Sequence, residues 1–167
     1  MVQFKAARSS LHRLFTTGMR FVKIIVRANL QMLHTFGLSE ENNMIYTSYF
    51  AKLKSLPENI IPISICSKAP ECYKGLQYKK LAPKYDFFME WKKNHDNDYY
   101  IKCFNEQVLG KLDWFQVYEE LQDLAATCGK QHYEIALICY EKPSDFCHRH
   151  LVADWFNKNG ILCEEWR

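Results

Sequence analysis

A chain of 167 residues with 48% hydrophobic and 15% aromatic content can bury one sizeable core and is too apolar to stay disordered. A net charge of +3 is too small to imply a nucleic-acid partner. No apolar run approaches the roughly twenty residues of a membrane span, because the most hydrophobic N-terminal stretch, FVKIIVRANL, is broken by Lys23 and Arg27.

The charge is unevenly placed. Residues 1–43 hold six basic residues (Lys5, Arg8, Arg13, Arg20, Lys23 and Arg27) against Glu40 and Glu41, which leaves 16 of the 22 basic and 17 of the 19 acidic residues to the remainder. Rich in Arg and hydroxyl residues, the segment superficially matches a mitochondrial transit peptide. A second reading rests on residues 40 to 44, Glu-Glu-Asn-Asn-Met, whose purine-rich codons would spell a bacterial ribosome-binding site shortly upstream of a start codon at Met44. Residues 1–43 are therefore expected to be an extension outside the domain, and residues 44–167 a single domain.

From Met44 the chain alternates strands and helices. MIYTSYF predicts a short strand, and IIPISIC (Ile60 to Cys66) a strand buried on both faces, although Pro62 argues against a central place for it. SKAPECYKGLQYKKLAP follows, a lysine-rich connection long enough to read as functional or mobile. Three helical patterns come next: Tyr85 to Lys93 with Phe87, Phe88 and Trp91; Asp98 to Leu109 with Tyr100, Cys103 and Phe104; and a helix capped by Asp113 and ended by Gly129. Their aromatic stripes read as core rather than as ligand walls. Ile135 to Tyr140 predicts a second buried strand, Ser144 or Asp145 the cap of a last helix ended by Gly160, and ILCEEW a final short strand. The alternation and the unbroken apolar strands predict an α/β layered domain with a small, largely parallel sheet flanked by helices.

The seven cysteines, Cys66, Cys72, Cys103, Cys128, Cys139, Cys147 and Cys163, form no CxxC pair and suit a reducing cytoplasm. In parallel α/β folds ligands gather at the carboxyl ends of strands, beside helix N-termini that receive anions. YEKPSDFCHRH lies where a strand feeds the last helix. Arg149 offers a planar guanidinium to phosphate or carboxylate, and Cys147 is placed where a thiol can be acidified. At about 100° per residue His148 faces the core, Cys147 and Arg149 flank it, and His150 turns away. His148 reads as a buried structural histidine or as the floor of a pocket, and Cys147 equally as a small core residue or a reactive one. Glu141 is a candidate general base or ribose-hydroxyl acceptor, or else a solvated loop charge. Cys147 and His150 can converge on one ion, with Cys66 or Cys139 approaching from a strand end, but four ligands at paired spacing are missing and no metal is expected.

LICYEKPSDFCHRHLVADW closely resembles the signature of the domain-of-unknown-function-488 (DUF488) family, small bacterial and phage proteins in which an apolar strand leads into Cys-His-Arg at a helix start. MIYTSYFAKL, IPISIC, YKKLAP and WFQVYEEL are similar to further segments of that family, so the resemblance runs over nearly all of residues 44–167. It implies a Rossmann-like α/β fold and carries no particular activity, substrate or cofactor.

Three readings of function follow. In the first, a phosphorylated or nucleotide-like ligand sits between the helix start with Cys147, His148, Arg149 and His150, the loop with Lys74, Tyr78 and Lys79, and the first strand's Thr47, Ser48 and Tyr49, with Cys147 or Glu141 assisting chemistry. In the second, the same pocket serves a sensor or sequestering module without catalysis. In the third, Lys68, Lys74, Lys79, Lys80 and Lys84 contact nucleic acid, a reading weakened by Glu71 and by the domain's balance of charge.

Overall fold

The computed structural model describes residues 44–130 and 133–166. The extension expected over residues 1–43 lies outside the described residues.

The predicted apolar runs form strands Ile45–Tyr49 (β1), Ile60–Ser64 (β2) and Glu134–Cys139 (β4). Two shorter strands, Leu76–Gln77 (β3) and Cys163–Glu165 (β5), lie at the edges of one five-stranded sheet in the order β3-β2-β4-β1-β5. Every pairing is parallel. β2 and β4 are buried on both faces, which is why they read as continuous apolar runs, whereas β1 interrupts its apolar residues with the buried Thr47 and Ser48.

Strand alternation sorts the side chains into two clusters. Ile45, Ile61, Ile63, Ile135 and Leu137 share a core with residues from each α-helix among the described residues: Tyr85–Asn94 (α1), Asn97–Gln107 (α2), Trp114–Ala126 (α3) and His148–Lys158 (α4). Ile60, Ala136 and Ile138 form a smaller cluster with Tyr46, Phe50, Leu53, Leu56 and Trp166. The β1-to-β2 and β4-to-β5 connections run in opposite directions along the sheet, so right-handed crossovers place them on opposite faces. That is where they are found: the 3₁₀ segment Phe50–Ser55 joins the smaller cluster and α4 the larger one. No helix among the described residues is long and apolar enough to cross a membrane.

Pro62 does sit in an inner strand, and local geometry explains how. β3 pairs with Ile63 and Ser64, so Pro62 has no strand neighbour on that side among the described residues. Its carbonyl accepts from the Tyr73 hydroxyl at 2.8 Å, a donor shared with the Leu76 carbonyl at 2.9 Å. A residue without an amide proton is tolerated at such a locally open edge. The long lysine-rich connection is not unstructured, since it contains β3 and the short 3₁₀ turn Lys79–Leu81.

Helix ends follow their sequence signals in most places. Asp113 caps α3 by accepting from the amides of Phe115 and Gln116. Gly160, at φ +85°, lets the chain reverse out of α4. The Asn157 side chain then brackets Cys163, donating to its carbonyl and accepting from its amide, both at 2.8 Å, and so fixes where β5 begins.

On the far side of the core the Tyr78 hydroxyl and the Lys80 ammonium both donate to Glu120, the latter at 2.7 Å. Lys80 and then Tyr78 hold the Glu120 carboxyl at about 2, below its ordinary 4.5. A carboxylate depressed by folding adds stability above its unfolded value and loses it as pH falls through the folded one. The pair is partly solvated, so Glu120→Gln should cost about 0.5–1 kcal/mol at pH 7. Urea denaturation should show the gap from wild type narrowing at pH 3.

Candidate functional site: a thiol-lined cavity at the carboxyl edge of the sheet

The parallel register sets Ser64 beside Ile138, so the ends of β2 and β4 leave the sheet together. Cys66 and Cys139 emerge there with their sulfurs 3.5 Å apart. The chain then passes through Tyr140 and Glu141, turns, and enters α4 at Cys147 and His148. These segments enclose a cavity of about 650 Å³, with Cys66, Cys139, Cys147, His148 and Glu141 on one part of its lining and Phe88, Trp91, Tyr100 and Phe146 on another. Lys68, Lys92 and His95 border it as exposed groups.

The start of α4 differs from the sequence expectation. Neither Ser144 nor Asp145 caps it; the cap position is Cys147, whose side chain makes no capping bond. Ser144 and Asp145 close the preceding turn instead, where the Asp145 amide donates to the Lys142 carbonyl and the Ser144 hydroxyl to the Asp145 carboxylate. The helix therefore begins two or three residues later than either cap would place it, and its first turn carries His148, Arg149 and His150.

His148 is buried against Phe104, and its Nε2 lies 3.1 Å from the Ile65 carbonyl. A carbonyl only accepts, so Nε2 carries the proton in the neutral ring and Nδ1 presents a lone pair, 3.7 Å from the Cys139 sulfur. Cys66, Cys139 and Cys147 form one buried cluster. Contact with the Cys139 thiol and burial push the Cys147 thiol up, against a smaller pull from His148. For Cys139 the Cys147 contact pulls down, but Cys66 and burial outweigh it and the net direction is also up. The acidification that a helix start allows, which the sequence left open, is thus opposed by the neighbours of Cys147. The Cys139 thiol lies 3.4 Å from the Glu141 carboxylate, which places a proton acceptor beside the cluster.

Arg149 faces elsewhere. It is completely buried, its Nε and Nη2 each donate at 3.1 Å to the two oxygens of Glu165, and its Nη1 donates at 2.7 Å to the Glu141 carbonyl. Thr47 donates to the same carboxylate at 2.5 Å, and the Tyr49 ring lies 6.0 Å from the guanidinium carbon. One residue of helical rotation separates the two surroundings: His148 points toward β2 and β4, Arg149 toward β1 and β5. His150 is half-buried, 3.8 Å from Glu165, with burial and then Arg149 drawing its pKa down.

Of the residues predicted for the site, Cys147, His148 and Glu141 line the cavity, whereas Arg149, His150, Ser48, Tyr49, Lys74 and Tyr78 do not. Ser48 faces away from Thr47 and Tyr49 by strand alternation, and its buried hydroxyl has no hydrogen-bond partner among the described residues. Lys74 is exposed, and Tyr78 is bonded to Glu120. Sequence reasoning missed Lys92 and the aromatic wall, and named Lys68 only as a nucleic-acid contact. Phe88, Trp91 and Tyr100 belong to the core as well as to the cavity, so their helical spacing reported only the first role. Lys68 carried a usable signal, since it follows the strand run Ile60 to Cys66 by two residues, where ligand loops begin.

An all-parallel α/β fold with a cavity at the carboxyl ends of β2 and β4, floored by a Cys-His helix start, is what the geometry defines. Residues 50–160 match the family model DUF488-N3a, described as the active DUF488-N3 subclade, and the chain belongs to this family. Comparison with curated proteins and with solved structures gives no match.

Removing one partner of a buried ion pair leaves the other uncompensated. Arg149→Ala should therefore destabilise the protein by about 3 kcal/mol. Replacing both partners with apolar residues, Arg149→Met with Glu165→Leu, should recover most of that loss in urea denaturation.

Proposed function

We propose that the protein binds a small anionic ligand carrying a planar ring, phosphorylated or nucleotide-like, in the cavity at the carboxyl edge of the sheet. Chemistry on that ligand falls to Cys147 and Glu141, the reactive groups that line it. The observation that carries this reading is the lining itself: five aromatic side chains beside a Cys, His and Glu floor, with exposed Lys68 and Lys92 at the border. A volume of about 650 Å³ lies within the range of small-molecule pockets. Aromatic faces stack planar rings, and the lysines pair with an anionic group. The family's description as an active subclade is in keeping with catalysis. All seven cysteines are free, which supports a reducing, cytoplasmic setting. The nucleic-acid reading gains nothing from the lysine-rich loop, where Lys80 is paired with Glu120 and Lys74, Lys79 and Lys84 lie outside the cavity.

The test is a thermal-shift screen with inorganic phosphate and nucleoside mono-, di- and triphosphates, followed by calorimetric titration of any compound that stabilises the protein. Trp91→Ala, and separately the double variant Lys68→Ala with Lys92→Ala, should each weaken binding about tenfold, as loss of a stacking partner or of charge-assisted bonds does. If no compound in the panel stabilises wild type more than the double-lysine variant, the anionic-ligand reading fails. Turnover of a bound compound would separate an enzyme from a sensor.

A further inference from the structure

We propose that Cys139, Cys147 and His148 form a site for one thiophilic divalent metal ion, zinc in a reducing setting, with its fourth coordination position open to the cavity. Their ligand atoms all lie within 4.8 Å of one another, and all three residues are buried. Zinc bonds of about 2.3 Å to sulfur and about 2.0–2.1 Å to nitrogen, arranged tetrahedrally, set a sulfur and a nitrogen about 3.6 Å apart. Cys139 Sγ and His148 Nδ1 are 3.7 Å apart, so an ion could enter with little movement of either ring or strand end.

The imidazole supplies an independent observation. Its Nε2 proton is given to the Ile65 carbonyl at 3.1 Å, which fixes both the tautomer and the ring plane and aims the Nδ1 lone pair at the thiols. Metal-binding histidines are held in this way, through a hydrogen bond from the nitrogen that does not touch the ion. A buried structural histidine needs only one such partner, and here the second nitrogen faces sulfur instead of solvent or another carbonyl.

Charge and coordination number both close. Two thiolates and a neutral imidazole cancel a double positive charge, so the filled site buries no net charge, and the two thiol protons leave to solvent as the ion binds. Cys66 touches Cys139, sulfur to sulfur at 3.5 Å, but its thiol also lies 3.7 Å from the Ile138 carbonyl and it is not one of the three residues whose ligand atoms all converge. All three proposed ligands border the cavity, so the remaining position opens onto it. Three protein ligands with one open position are the arrangement of a catalytic zinc, not a structural one. With the ion bound, Cys147 becomes a ligand and is no longer a free nucleophile. An oxygen of the anionic ligand or a water then completes the coordination.

The experiment uses the reduced full chain, stripped by a chelator and titrated with zinc against a chromophoric competitor and with cobalt by absorption, with no organic ligand present. One ion per chain and thiolate-to-cobalt charge-transfer bands are expected. Cys139→Ser, Cys147→Ser and His148→Gln should each lower zinc affinity by more than about a hundredfold, beyond what loss of an outer partner causes. Cys66→Ser and Cys72→Ser should keep one ion bound. The wild-type cobalt spectrum reports the ligands even where a variant does not fold. Failure of reduced wild type to bind zinc stoichiometrically, a cobalt spectrum without thiolate bands, or a Cys139–Cys147 disulfide in protein isolated without reductant would overturn the proposal. Because the titration contains no organic ligand, such a failure would leave the anionic-ligand reading standing.

Discussion

The structure turns on a fully buried guanidinium. Arg149 sits in the first turn of α4 with no exposed surface, and its charge is tolerated only because Glu165 meets it with both carboxylate oxygens and the Glu141 carbonyl takes a third donor. Those partners come from β5 and from the turn after β4, and Thr47 on β1 holds the carboxylate in place. One side chain thus joins the last helix to three strands. β5 is only three residues long and pairs with β1 alone, so the ion pair fastens an edge that backbone hydrogen bonds would hold weakly.

That fastening has a geometric result one residue away. A helix whose second residue is fixed in rotation has little freedom at its first, so Arg149 holds His148 against β2 and Cys147 against β4. The cavity floor is then set by two anchors of opposite kind, an ion pair on one side of α4 and the His148 bond to the Ile65 carbonyl on the other. The aromatic wall is similarly shared with the core: Tyr100 packs on both Phe87 and Phe146, so the packing that stabilises α1 and α2 also shapes the pocket.

The strands and helices were legible because each carries a local signal: β-branched apolar runs, aromatic residues at helical spacing, Asp113 as a cap and glycines at two helix ends. The passage from strand to helix likewise placed YEKPSDFCHRH at the carboxyl edge of the sheet, where β4 leads into α4. Two features were not legible, for related reasons. The role of Arg149 depends on Glu165, sixteen residues later and brought back by a reversal at Gly160, so nothing local distinguished a buried ion pair from an anion receptor. The meeting of Cys66 with Cys139 depends on strand order, because β2 and β4 pair although β3 lies between them in the chain. The helix start was misplaced because Ser144 and Asp145 satisfy each other and a turn just as well as they would a helix end.

The central place of β4 bears on how the chain reaches this structure at all. Ile45 and Ile135 are register partners about ninety residues apart, and β1 and β2 touch the sheet's middle only through β4. During synthesis both earlier strands emerge with apolar faces and unpaired amide edges, and neither can be completed until residues 134–139 have followed. Contacts so remote in sequence make folding slow, and waiting strands of this kind are open to pairing with other chains. The interval between the making of β2 and the arrival of β4 is therefore when a nascent chain has most need of chaperones.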